Sequence, residues 1–149
     1  MEKTLLERAK KFIYSNARLL DRRRFEYFFE GGSKKAVIAA LAAYQNEDGG
    51  FGNALELDIR CPHSQPVPTE VALTIMDEME CFDDGLIQGI ARYLKKITVE
   101  EGGFPLAFRE LNAYPHAPWW AVKDDLTANM NPTGSIMGLL QNQNVVTDF

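Results

Sequence analysis

One short pattern does more than any other to limit what this chain can fold into, and it occurs twice. "QNEDGGFG" at Gln45–Gly52 is echoed by "VEEGGF" at Val99–Phe104, with Gly49 and Gly102 standing 53 residues apart. Each follows an apolar segment of helical period, and each leads into a loop that ends at a Pro-Thr pair, Pro68-Thr69 and then Pro132-Thr133. The second pair stands 64 residues after the first, so the second loop is 11 residues longer. Paired glycines reach positive φ and allow close backbone approach, Asp48 can bond turn amides, and the phenylalanine can plug the gap between hairpins. A helix, turn, loop and helix repeated in this way is a unit too small to bury its own face, which predicts stacked helical hairpins.

The remaining chain agrees with an all-α fold. Thr4 and Glu7 form a capping-box pattern for a helix from Leu5 to about Asn16, with Leu5, Ala9, Phe12 and Ile13 on its apolar stripe. A second helix is expected over Leu19–Phe29, with Leu20, Phe25, Phe28 and Phe29 inward and Gly31-Gly32 as its stop. Ser33 caps a third, Lys34–Gln45. Thr69 is placed to cap a fourth, because Pro68 should not sit inside a helix. A fifth runs from about Asp84 to Lys96 with Leu86, Ile87, Ile90 and Leu94 inward, and "NPTGSIMGLLQ" restarts a sixth. No β-branched run alternates over a strand's length.

At 149 residues the chain suits one domain, 1–149. A net charge of −5 offers no basic footprint for a phosphate backbone, so nucleic acid is not an expected partner, and "DRRRF" reads as a solvated helix face. "MEKTLLERAK" mixes charges where an export signal needs an apolar stretch, and no apolar run reaches the ~18 residues of a membrane span. The protein is therefore read as cytoplasmic, with Cys61 and Cys81 as free thiols.

"QNEDGGFG" resembles the Gln-plus-Asp-Gly-Gly-Phe-Gly motif of the terpenoid cyclase and protein prenyltransferase superfamily, and "EEGGFP" with "NPTGSIMGLL" is similar to a degenerate second copy. The resemblance spans about Ser33 to Leu140, and more narrowly "AYQNEDGGFGNALELDIRCPHSQPVPTEVAL" resembles bacterial toroid proteins. It implies an α/α toroid, a ring of helical hairpins around a cavity. Five or six helices make about half a ring, so the chain is expected to be part of a longer toroid, or else to self-associate as a homodimer through the open face. Two departures narrow the chemistry. The Asp-x-Asp-Asp acid of the proton-initiated cyclases is absent, and the Asp-x-Cys zinc pair of the prenyltransferases is replaced by Asp58, Cys61 and His63 at different spacing. A zinc site built from those three and His116 would use legitimate ligands, but the spacing of a zinc motif is missing, so no metal is assigned and no cofactor is specified.

The loops after the two turns carry the richest side chains. Asp58 and His116 are candidates for a general acid and base, with Glu56, Arg60, Gln65, Trp119 and Trp120 as substrate-binding residues, and His63, Asp124 and Asp125 nearby in sequence. Such an acidic and aromatic cavity would suit a small isoprenoid- or sugar-like ligand. The rival expectation is a non-catalytic helical-repeat module that binds a protein or a second copy of itself. No serine-nucleophile elbow or phosphate-cradling loop is present.

Overall fold

The computed structural model describes residues 4–143, and among them every regular element is helical. The α-helices are α1 (Leu5–Asn16), α2 (Leu19–Glu30), α3 (Lys34–Ala42), α4 (Pro66–Glu78), α5 (Asp84–Ile97) and α6 (Met130–Asn142), with short 3-10 turns at Arg109–Ala113 and Pro118–Trp120. Extended contacts are limited to isolated bridges such as Ile59 with His116. Among the described residues no helix is long and apolar enough to cross a membrane. The chain divides into two compact units that part between Ala43 and Tyr44.

The first unit holds α1, α2 and α3. Thr4 and Glu7 close the expected capping box on α1. Gly31 ends α2 in the left-handed conformation at φ 71°, and the N–H of Gly32 reaches back to the Glu26 carbonyl, which satisfies an orphan acceptor of the last turn. A polar clasp joins the hairpin: the Tyr14 hydroxyl lies 2.9 Å from Glu26 Oε1 and 2.8 Å from Glu30 Oε2, and Lys10 pairs with Glu30. The expected apolar stripe of α1 is not a core. Leu5 and Phe12 are 75% and 67% exposed and no residue of α1 is buried. Phe28 and Phe29 of α2 are exposed as well, while Leu20 and Phe25 are buried as expected. Period alone marks one face as apolar and does not supply the element that would cover it.

The second unit contains the two glycine turns, and they are built alike. In the first, Asn46 N–H donates to the Gly50 carbonyl and Gly49 N–H to the Asn46 carbonyl, each at 2.9 Å. In the second, Val99 N–H donates to the Gly103 carbonyl at 3.1 Å and Gly102 N–H to the Val99 carbonyl at 2.9 Å. Gly49 and Gly102 hold φ of 93° and 83°, a region that L-residues with a Cβ avoid. The phenylalanine after each turn is buried, Phe51 and Phe104 alike.

Helix α4 starts four residues earlier than expected, with Gln65 in place of Thr69 at the cap. Pro66 is its first residue, and Thr69 lies at the end of the first turn rather than at the cap. Both prolines fit because the first N–H groups of a helix have no intrahelical acceptor, and the first regular bond here is Thr69 N–H to the Gln65 carbonyl at 3.2 Å. The Thr69 hydroxyl instead donates to that same carbonyl at 2.9 Å and accepts the Phe51 N–H at 3.1 Å. Thr133 in α6 accepts the Phe104 N–H at 2.8 Å. Gln65 N–H and Asn129 N–H complete the match by donating to the Phe51 and Phe104 carbonyls. Each turn is thereby stapled to the helix that follows its loop, and α4 packs on α6.

Candidate ligand-binding cleft

The loop from Gly52 to Gln65 has its own anchor points. Asn46 Nδ2 donates to the Pro62 carbonyl and to Ser64 Oγ at 3.0 Å each, and Ser64 Oγ donates to Asp48 Oδ1 at 2.7 Å. Asp48 Oδ1 also accepts the Gly50 N–H at 3.0 Å, the turn-amide role expected of it. A small apolar cluster of Ile59, Cys61, Val67, Ala107 and Leu111 fastens this loop to the longer second one.

Between the two turns lies a cleft of about 1190 Å³. Asn46 to Asp48 and Val99 to Glu101 are both in its lining, so both copies of the repeated motif contribute to it. The end of α5 contributes Tyr93, Lys96 and Ile97, and the loops contribute His63, Ser64, Phe108, Glu110 and Asp125. Its lining is acidic in composition: Glu47, Asp48, Glu100, Glu101, Glu110 and Asp125 belong to it, against Lys96. His63 Nε2 stands 3.0 Å from the Tyr114 hydroxyl, which holds the imidazole at the wall.

Tyr93 is the unusual member of the lining. It is 2% exposed, and its buried hydroxyl has no hydrogen-bond partner among the described residues. Its ring lies so close to the first turn that a Cβ on Gly50 would stand 2.7 Å from it. Burial pushes the phenol well above its ordinary pKa, and the Asp48 and Glu110 carboxylates push it further. The group therefore keeps its proton. An unpaired buried hydroxyl costs about 1–3 kcal/mol, a cost that a ligand group able to pair with it would offset.

None of the residues expected to form the site lines this cleft. Asp58 and His116 are brought together along the backbone, where the Ala117 N–H donates to the Asp58 carbonyl at 3.0 Å and the Arg60 N–H donates to the Pro115 carbonyl at the same distance. Asp58 and Arg60 are exposed, and His116 Nδ1 is engaged with the Tyr114 carbonyl at 2.6 Å. Glu56 accepts the Asp58 N–H at 3.3 Å. Trp119 is 68% exposed, whereas Trp120 packs against the Ile59 and Leu111 cluster. Gln65 is fully buried and works as a brace: its Oε1 accepts the Phe108 N–H at 2.8 Å and its Nε2 donates to Glu110 Oε1 at 3.1 Å. It therefore sets a cleft wall from behind. His63 and Asp125, noted as neighbours in the same loops, do line the cleft.

Among the described residues no three His, Cys, Asp or Glu side chains group closely enough to hold a metal ion. Cys61 is buried in the apolar cluster, and that burial pushes its thiol up, away from the thiolate a metal would need. Tyr93 itself was legible only indirectly. It falls on the inward stripe of α5 with Leu86, Ile90 and Leu94, and a hydroxyl on such a stripe needs a partner.

Comparison with known proteins adds no relative: no protein-family model, no curated protein and no solved structure matches the chain.

Proposed function

We propose that the chain is a small-molecule-binding protein of stacked helical hairpins, similar in design to the α/α toroids of terpenoid cyclases and protein prenyltransferases. Its ligand occupies the cleft between the two glycine turns. The observation that carries this reading is Tyr93, a residue of the lining of a cleft to which both copies of the motif contribute, whose buried hydroxyl has no hydrogen-bond partner among the described residues. Buried polar groups in folded proteins are nearly always paired, and a convergent cleft beside an exception is the default place for a ligand.

The lining favours the sugar-like ligand over the isoprenoid. Acidic residues, Ser64, Thr98 and Thr127 offer hydrogen bonds, and Phe108 and His63 offer flat surface for a ring face. An isoprenoid chain would leave these polar groups dry and unpaired. Saturation-transfer NMR with glucose and with geraniol, on the wild type and on Tyr93→Phe, tests the reading. Transfer to glucose that the variant weakens supports it. Transfer to geraniol alone moves the ligand class to the isoprenoids, and transfer to neither removes the small-molecule reading.

A second reading rests on the first unit. Leu5, Leu6, Phe12, Leu19, Phe28 and Phe29 are all exposed there, more apolar surface than a solvated helical hairpin ordinarily presents. On this reading the hairpin is an association face, and a second copy of the chain is its occupant. Light scattering of the purified protein separates a dimer from a monomer.

A further inference from the structure

Resting on the second reading, in which the first hairpin takes a second copy of the chain, we infer which face of that copy it takes: the exposed Leu57 and Trp119 of the acidic second unit. The chain's charge is divided between its units. Met1–Ala43 carries ten lysines and arginines against five acidic residues, a net +5, while Tyr44–Phe149 carries six against sixteen, a net −10.

Helix α1 shows what the basic unit offers. Leu5 and Phe12 stand seven residues apart and so share one side of the helix, with Arg8 and Lys11 flanking them. Lys10 and Tyr14 fall on the opposite side, and these two hold α1 to Glu26 and Glu30 of α2. The apolar stripe is thereby turned away from the hairpin's own contact and left exposed. Arg8 and Lys11 are exposed too, and neither forms an ion pair among the described residues.

The second unit offers the complement. The Ala117 N–H donates to the Asp58 carbonyl and Ile59 bridges to His116, so the backbone carrying Leu57 runs beside that carrying Trp119. Leu57 and Trp119 are 53% and 68% exposed, with Glu56 and Asp58 on either side of Leu57 in sequence and Arg60 as the one base of that stretch. Two positive hairpins would repel each other, and an anionic lipid surface would repel the second unit that the same chain brings with it. A second copy instead presents apolar surface within a field opposite in sign to the hairpin's. That arrangement favours encounter and lets both apolar sets leave water together.

Light scattering over a dilution series of the full chain, in about 20 mM and about 500 mM salt, reads the association directly. The wild type should self-associate at low salt and weaken several-fold at high salt. Phe12→Ser and Trp119→Ser should each weaken it by about tenfold or more, as loss of a central aromatic does at an interface. Both side chains are exposed, so both variants should fold. Arg8→Glu combined with Lys11→Glu should weaken association at low salt and matter less at high salt. Association that Phe12→Ser weakens, but that Trp119→Ser and salt leave unchanged, overturns the assigned face and leaves the second-copy reading standing. Association that Phe12→Ser leaves unchanged, or a monomer at every concentration and salt, overturns both. Binding of such a monomer to phosphatidylglycerol vesicles would give the hairpin a lipid surface in place of a second copy.

Discussion

Gly49 and Gly89 meet backbone to backbone: a Cβ on Gly49 would stand 2.0 Å from the Gly89 carbonyl oxygen. Gln45 locks the same junction, its Nε2 donating to the Gly49 carbonyl at 2.9 Å and the Leu86 carbonyl at 3.0 Å. The first turn is thus clamped to α5. Its counterpart Gly102, at nearly the same positive φ, has open space where a Cβ would go.

That contrast makes a paired prediction. Gly102→Ala should cost only the strain of a left-handed residue, about 1–2 kcal/mol. Gly49→Ala should cost that strain plus overpacking of roughly 1–3 kcal/mol, because the clashing atoms are main chain and cannot rotate away. Urea unfolding of the two variants measures the difference. Equal losses would mean that α5 is not clamped to the first turn.

The threonine staples can be ranked in the same way. Thr69 is fully buried and Thr133 is half-buried. Thr69→Val should therefore strand the Phe51 N–H at a cost of roughly 1–3 kcal/mol, while Thr133→Val costs less because water can reach the Phe104 N–H. Thr69→Ser should recover most of the loss. Amide exchange at Phe51 and Phe104 reports each staple separately.

Gln65 is predicted to act on the ligand only through the cleft wall. Gln65→Leu removes the acceptor of the Phe108 N–H and the donor to Glu110 and keeps apolar bulk, so stability should fall by roughly 1–3 kcal/mol. Affinity for a cleft ligand should fall with it as Glu110 and Phe108 lose their brace. Glu56→Gln, outside the cleft lining, should leave affinity unchanged.

Acid should loosen the first hairpin. The Arg23 hydrogen bond, helped by Tyr14, lowers the Glu26 pKa, and the Lys10 bond, helped by Tyr14, lowers that of Glu30. Both folded-state values therefore lie below the unfolded carboxylate value. Their contribution is therefore complete above that pH and is lost as pH falls through the lowered folded values. Denaturation midpoints followed from neutral to strongly acid pH should drop more in the wild type than in the double substitution Glu26→Gln and Glu30→Gln.

The all-helical fold was legible because period and punctuation agreed, from the Thr4 and Glu7 box to the Ser33 cap. The equivalence of Thr69 and Thr133 was also legible from spacing, although their task was not: both staple a turn from within the first helical turn instead of capping it. The α1 stripe misled, since Leu5 and Phe12 show a helical period yet lie exposed. Loop side chains were the least legible part. Asp58, Arg60 and Trp119 are exposed and are not among the residues lining the cleft, and only tertiary contacts distinguish them from His63 and Asp125, which line it. Tyr93 was hidden among core residues because a phenol on an apolar helix face looks like packing until its hydroxyl is found without a partner among the described residues.

The most direct test of the cleft as the ligand site is a residue-resolved amide NMR titration of the full chain with D-glucose. The account predicts that the largest shifts fall on Gly50, Ser64, Tyr93 and Glu101, around both glycine turns. Shifts centred instead on Asp58, His116 and Trp119, or no shifts at all, would contradict it.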